Sequence, residues 1–296
     1  MLNAVKSQLV PTCRECLSGK KLIFFFVFVL IVHCTLKIED CMSQWQPDVR
    51  LTNDTAASFT SYNNAWCIAS SGSVVHVVWT DTRDGKFQVY YKRSLDAGVN
   101  WGADTRLSDN TTSSRAPSIA VSGSVVHVVW YKYISISNND IYYKRSTDGG
   151  VNWEADKSLT IDTSQSDFPS VKISGSIVHV VWEDNRNGDR EIYYKRSTDE
   201  GVNWGTDIRL TNNVFSSVFS SVAASGSVVH VVWQERRDGT REIYYKRSND
   251  AGVSWGADTR LTNNTAISYL PSVAVSSLPL GSVIHVVWQD LSLIHI

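Results

Sequence analysis

The sequence predicts an all-β chain, a β-propeller built from four-stranded antiparallel blades. Three observations lead there: a module recurs along the chain, its most apolar strand is oily on both faces, and no stretch sustains a helical period. The string SGSVVHVVW or a near copy carries His76, His127, His179, His230 and His285, spaced 51, 52, 51 and 55 residues apart. Between successive copies recur YYKRS, then a phrase such as STDGGVNW, then RLTNN or a relative.

One full unit, from Phe168, reads FPSVKISGSIVHVVWEDNRNGDREIYYKRSTDEGVNWGTDIRLTNN. It divides into four expected strands: Pro169 to Ile173, Ile177 to Trp182, Glu191 to Ser197, and Trp204 to Thr211. SGS makes the first turn. Asn187-Gly188, like Asp84-Gly85 and Asp238-Gly239 in other units, has the composition of a two-residue hairpin whose central positions need positive φ. The second strand, SVVHVVW, is apolar on both faces, so both faces must be covered. A blade stacked between two others covers it; an isolated sheet does not.

The third turn is the most regular. It reads SLDAGVNW from Ser94, STDGGVNW from Ser146, STDEGVNW from Ser197 and SNDAGVSW from Ser248, all matching S-x-D-x-G-x-x-W. An Asp (Asp96, Asp148, Asp199, Asp250) can accept backbone N–H groups in a tight turn. A Gly (Gly98, Gly150, Gly201, Gly252) permits a left-handed conformation, and a Trp (Trp101, Trp153, Trp204, Trp255) can fold onto the turn and bury its ring. These residues are expected to be structural. The pattern resembles the Asp-box (BNR) repeat of the sialidase superfamily, over roughly residues 45–290. The resemblance implies a propeller whose Asp boxes lie on the rim away from any active site.

The expected organisation is a leader over 1–43, the propeller over 44–290 and a non-repeat tail over 291–296. WQPDVRLTN from Trp45 reads as a lone fourth strand, and the last unit stops after its second strand in QDLSLIHI. Five blades are expected, the last incomplete, either closed by pairing the two ends or belonging to a longer six-bladed ring. In the leader, Lys20 and Lys21 precede an apolar run from Leu22 to Val32, the pattern of a signal peptide, with an uncleaved membrane anchor as the rival reading. Either places the protein outside the cell or at its surface.

With 28 Lys plus Arg against 29 Asp plus Glu, the net charge of -1 argues against a nucleic-acid binder. Three of the five cysteines, Cys13, Cys16 and Cys34, lie in the leader. CREC at 13–16 lacks the second pair that four zinc ligands would need, while Cys41 and Cys67 could pair in an oxidising compartment. The five histidines sit on second strands of different blades, too far apart to share an ion, and are expected to pack with a hydrogen-bond partner. No metal, no cofactor and a monomer are expected.

In this strand order the second-to-third-strand loops and the blade-to-blade loops share the face opposite the S-x-D-x-G-x-x-W turns. That face carries an echo of its own: Asp81 and Arg83 after Trp79, Asp184 and Arg186 after Trp182, Glu235 and Arg237 after Trp233. Trp130 departs, followed by Tyr131, Lys132 and Tyr133. An acid, an Arg and an aromatic can hold a sugar; equally they can form an ion pair inside the hairpin. The repeated Lys-Arg pairs, such as Lys144-Arg145, should point to opposite sheet faces by strand alternation.

The sialidase resemblance implies three arginines on a carboxylate, a Tyr–Glu nucleophile and an Asp acid/base. The first arginine belongs to an X-R-X-P motif, matched here once by SRAP with Arg115. The other units have Asn64, Asp167, Val218 and Tyr269 at that place, and no further catalytic residue can be assigned. Catalysis on a ring needs unlike residues from different blades, and these blades are close copies. The expectation is therefore a carbohydrate-binding or adhesion propeller, with glycans or glycoproteins as partners. The alternative is an exo-sialidase-like hydrolase with an incomplete site.

Overall fold

The computed structural model describes residues 48–61, 66–263, 266–278 and 281–291. The expected leader, Cys41, Asn64 and tail residues 292–296 lie outside these. There are two compact units, residues 2–53 and 54–296, and every strand named below lies in the second. The described residues contain strands and turns and no helix, so none is long and apolar enough to cross a membrane.

The first blade runs β1 (Ser58–Phe59), β2 (Ile68–Ser71), β3 (Val74–Asp81), β4 (Gln88–Ser94) and β5 (Thr105–Arg106), with β1 and β2 both paired to β3. The second is β6 (Ser114–Ser122), β7 (Val125–Ser135), β8 (Asn138–Ser146) and β9 (Lys157–Ser158). The third is β10 (Ser166–Ser174), β11 (Ile177–Asp184), β12 (Glu191–Ser197) and β13 (Ile208–Arg209). The fourth is β14 (Ser217–Ser225), β15 (Val228–Asp238), β16 (Thr240–Ser248) and β17 (Thr259–Arg260). A final pair, β18 (Ile267–Leu278) and β19 (Gly281–Leu291), makes a two-stranded sheet. All named strand pairs are antiparallel, and all but β1 with β3 join sequence neighbours, the up-and-down order of a propeller blade.

The core lies between blades. Val78, Val89 and Tyr91 of the first blade pack with Ile119, Val126, Val128 and Trp130 of the second. Corresponding clusters join the second blade to the third, the third to the fourth and the fourth to the final pair. This is why SVVHVVW has no polar face. Trp79, Trp130, Trp182 and Trp233 are fully buried, whereas Trp288 on β19 is 41 % exposed. β19 has no strand paired on its far side among the described residues.

Three details differ from the sequence reading. The first strand of the third blade begins at Ser166 rather than Pro169, because a bulge lets the chain enter the sheet earlier. The fourth strand shrinks to Ile208–Arg209, leaving Trp204 in the turn. Asn187-Gly188 does not close a two-residue hairpin. β11 ends at Asp184 and β12 begins at Glu191, and Gly188 N–H bonds Asn185 O at 3.0 Å. The wider loop lets Arg186 fold back onto Asp184.

Candidate functional site

The S-x-D-x-G-x-x-W turns hold themselves and the next blade. In the first, Ser94 Oγ donates to Asp96 Oδ1 (2.7 Å), and Gly98 N–H donates to Ser94 Oγ (2.8 Å). Asn100 N–H donates to Asp96 Oδ1 (2.8 Å), and Trp101 Nε1–H to Gly98 O (2.9 Å). The turns at Asp148, Asp199 and Asp250 repeat the carboxylate's bonds to the serine and to the backbone four residues on. Those backbone N–H donors hold the Asp96, Asp148 and Asp199 carboxyls down at about 2, and Asp250 is depressed too, first by its bond to Ser254.

Three of the turns, at Gly150, Gly201 and Gly252, are also sockets. Tyr91 of the first blade stands edge-on to Trp153 of the second, with ring centroids 4.9 Å apart, and its hydroxyl lies where a side chain on Gly150 would have to go. Tyr143 meets Gly201 and Trp204 in the same way, and Tyr194 meets Gly252 and Trp255. Behind each tyrosine stands a repeat histidine: His76 Nδ1 to Tyr91 Oη is 2.7 Å, His127 to Tyr143 2.8 Å, His179 to Tyr194 2.7 Å. His230 pairs with Tyr245 at 2.8 Å. Burial pushes these imidazoles down, His76, His179 and His230 to about 4 and His127 to about 3, with the following arginine adding to the fall. The Lys-Arg pairs divide between neighbours. Arg145 donates to Glu200 O of the next blade (2.9 Å), and Lys144 to Leu107 O of the previous one (2.7 Å).

On the opposite face, the W-x-D-x-R residues spend their charges inside the hairpins. Asp81 is fully buried and accepts from Trp79 Nε1 (2.9 Å), Ser58 Oγ (2.9 Å), Arg83 N–H (2.9 Å) and Arg83 Nη2 (2.8 Å). Arg83 also pairs with Asp54 (2.7 Å) and Asp104 (2.6 Å), and lies over the Tyr90 ring with its guanidinium carbon 4.3 Å from the centroid. Asp184 with Arg186, and Glu235 with Arg237, form the same clasp, closed by Asp207 and Asp258. These six residues lock a loop in place, which leaves their charged atoms little to offer a ligand.

The unlike residues of this face gather elsewhere, at bulges in the first strands. Ala116, Phe168, Phe219 and Leu270 have φ of 51°, 49°, 54° and 51°, each at a register shift. Such bulges re-aim side chains and cost backbone strain of order 1–3 kcal/mol each. Around them the blades differ. Phe168 packs against Tyr131 at 5.6 Å and Phe219 at 5.4 Å between ring centroids, a row of three half-buried aromatic rings. Arg115 lies with its guanidinium carbon 3.5 Å from the centroid of Phe87 and makes no ion pair with any described residue.

The position after the buried tryptophan is Thr80, Tyr131, Glu183 and Gln234 in successive blades. Glu183 is buried and accepts the bulge N–H of Phe219 (3.0 Å) and Arg190 Nη1 (2.6 Å). Arg190 also holds Asp167 (2.7 Å) and Gln165 (2.9 Å), and Asn139 donates to Asp167 (2.7 Å). Burial raises the Glu183 carboxyl to about 7 against the pull of Arg190 and that N–H. Sequence reasoning singled out Arg115, noted Tyr131 only as a departure from the W-x-D-x-R echo, and missed Phe168, Glu183, Arg190 and Phe219. The available signal was disagreement among repeats: these are columns in which the blades part company.

No group of three or more metal-ligating side chains occurs among the described residues. Cys67 has a free thiol that donates to Pro117 O at 3.3 Å.

No family model matches the chain, and no curated protein matches it. Solved structures do. An α-L-arabinofuranosidase from Fusarium graminearum superposes with a TM-score of 0.58 over 79 % of this chain and 80 % of its own, at 15 % identity. The fold is that of a β-propeller. Trypanosoma rangeli sialidase aligns with a TM-score of 0.56 at 13 % identity, over 76 % of this chain and 44 % of its own. The NanB sialidase of Streptococcus pneumoniae aligns with a TM-score of 0.53 at 11 % identity, over 80 % and 59 %. The chain thus spans about four-fifths of the arabinofuranosidase's length and roughly half of these two sialidases.

Proposed function

We propose that this is a secreted or cell-surface Asp-box propeller that binds carbohydrate on the face opposite its S-x-D-x-G-x-x-W turns, without turning it over. The observation that carries the reading is the convergence of Arg115, Tyr131, Phe168, Phe219 and the Glu183–Arg190 pair at the strand bulges of that one face. Flat rings suit the apolar face of a sugar, and the charged groups beside them suit its hydroxyls. The propellers of similar fold are named as enzymes acting on carbohydrate, a sialidase and an arabinofuranosidase among them, which supports the ligand class. The W-x-D-x-R clasps serve this reading by fixing the loops that frame the rings. The leader is read as the export signal, and the protein as a monomer.

Glycan-array binding followed by calorimetry tests it. The intact protein should bind at least one glycan class at millimolar affinity or better, and Phe168→Ala with Phe219→Ala should weaken that binding at least tenfold, about 1.4 kcal/mol. Binding unchanged by this pair of substitutions, or no binding across the array, rejects it. A second reading, exo-sialidase-like hydrolysis, is favoured by Glu183 alone. A carboxyl titrating at about 7 is able to exchange protons at neutral pH. Turnover of a fluorogenic sialoside that disappears on Arg115→Ala and Glu183→Gln would establish it.

A further inference from the structure

Three blades share a three-point bond that the second blade lacks. In the first, Trp79 Nε1 and Ser58 Oγ both donate to one oxygen, Asp81 Oδ2, each at 2.9 Å. In the third, Trp182 Nε1 (3.0 Å) and Ser166 Oγ (2.8 Å) converge on Asp184 Oδ2. In the fourth, Trp233 Nε1 (3.0 Å) and Ser217 Oγ (3.1 Å) converge on Glu235 Oε2. The pairing register that creates this meeting is the same in every case: Ser58 opposite Asp81, Ser166 opposite Asp184, Ser217 opposite Glu235.

The second blade keeps the register and both donors but changes the acceptor. Ser114 stands opposite Lys132, and Trp130 stacks on Tyr142 as Trp79 stacks on Tyr90, with ring centroids 6.2 and 5.9 Å apart. Ser114 and Trp130 are fully buried, and neither Ser114 Oγ nor Trp130 Nε1 has a hydrogen-bond partner. An indole N–H and a hydroxyl buried without an acceptor each cost about 1–3 kcal/mol. Lys132 leads its ammonium away, to Asp109 at 2.6 Å and to within 5.1 Å of the Tyr142 ring centroid. Asn110, whose carboxamide oxygen is also buried and unpartnered, takes the sequence place of Asp54 and Asp162, the acids beside the other clasps. Turned end for end, its amide would add a third donor.

We infer that the second blade binds a small monovalent anion of the halide class, at the point where Trp130 Nε1 and Ser114 Oγ converge and where the other blades place a carboxylate oxygen. Two observations carry this independently of each other: the paired buried donors, and the carboxylate oxygen that meets the same two donors in three other copies of the blade. The Lys132 ammonium is paired with Asp109, so the two buried donors, and not a free cation, are what would hold the anion.

The test uses the full chain with bromide as the probe. Crystals soaked in bromide should show an anomalous peak within hydrogen-bond reach of Trp130 Nε1 and Ser114 Oγ. Water refined there with no anomalous signal overturns the inference, and so does bromide found only at exposed positions, an adventitious ion only. In solution at constant ionic strength, the unfolding midpoint should rise with bromide or chloride replacing sulfate. Lys132→Asp together with Ile134→Arg rebuilds the W-x-D-x-R clasp and should remove the halide response. Ser114→Ala should keep the fold and raise the half-saturating halide concentration about tenfold. A halide response unchanged in both variants also overturns the inference.

Discussion

The two rims of this propeller are built from equally regular strands and follow opposite rules. At the rim of the S-x-D-x-G-x-x-W turns, an Asp ties each turn, and from the second blade to the fourth a Gly leaves room that a tyrosine from the preceding blade fills. At the other rim, Thr80, Tyr131, Glu183 and Gln234 occupy one position and Arg115, Asp167, Val218 and Tyr269 another. Stacking is the same task at every interface, so its residues repeat. A ligand is met once, so the residues that meet it need not. In a chain of near-copies, sameness marks the scaffold and difference marks the candidate site.

If that division is right, acid should attack the repeated rim first. His76, His127, His179 and His230 are held neutral by burial, from a usual 6.5 down to about 4, 3, 4 and 4. A base with a depressed folded pKa contributes stability that is full above 6.5 and is lost as pH falls through the folded value, because the unfolded chain takes up the proton first. Each histidine is worth on the order of 2 kcal/mol in that window, so the four together rival the whole stability of a domain. Urea midpoints should fall steeply between pH 6.5 and 4. A flat profile there would break the comparison at its foundation.

The next largest effect is steric. In Gly201→Ala, the new Cβ would share space with Tyr143 Oη, and φ at this position is +87°. Backbone strain and displacement of a buried ring should together cost about 3–5 kcal/mol. The same change at Gly188, whose φ is +106° with nothing within 4 Å, should cost only the strain, about 1 kcal/mol. Equal losses at the two sites would show that the socket does not matter. Smaller again is Tyr143→Phe, which keeps the ring against Trp204 but strands His127 Nδ1, for about 1–2 kcal/mol by thermal unfolding.

Much of the repeated rim could be read from sequence. The bonding of the Asp in each turn, the expectation that each histidine finds a hydrogen-bond partner, and the divergence of Lys144 from Arg145 follow from local chemistry or strand alternation; that the partner is a tyrosine does not. What a single repeat does not say is who its neighbour is. Tyr143 looks like an ordinary strand tyrosine until the next blade brings Gly201 beneath it. The other rim was harder for a different reason. Its bulges put Ala116, Phe168, Phe219 and Leu270 in the left-handed region without the glycine that usually announces it. The W-x-D-x-R motif repeats, and its acid and arginine bond to each other within the hairpins that carry them.

Glu183→Gln sharpens the contrast, because its pH sign is opposite. Burial raises the Glu183 carboxyl from 4.5 to about 7. An acid with a raised folded pKa contributes stability that is full below 4.5 and is lost as pH climbs through about 7, since the folded state holds the proton longer than the unfolded chain does. Glutamine imitates the protonated form at every pH and has no such limb. The stability difference between Glu183→Gln and the parent should therefore shift in the variant's favour between pH 4.5 and 7, by about 1 kcal/mol once Arg190 is allowed for, and stay constant above. The histidine limb, rising over much of the same range, should be untouched in both. A difference that does not move with pH would make Glu183 a plain ion-pair partner of Arg190, and would remove a group on this rim equipped to pass a proton at neutral pH.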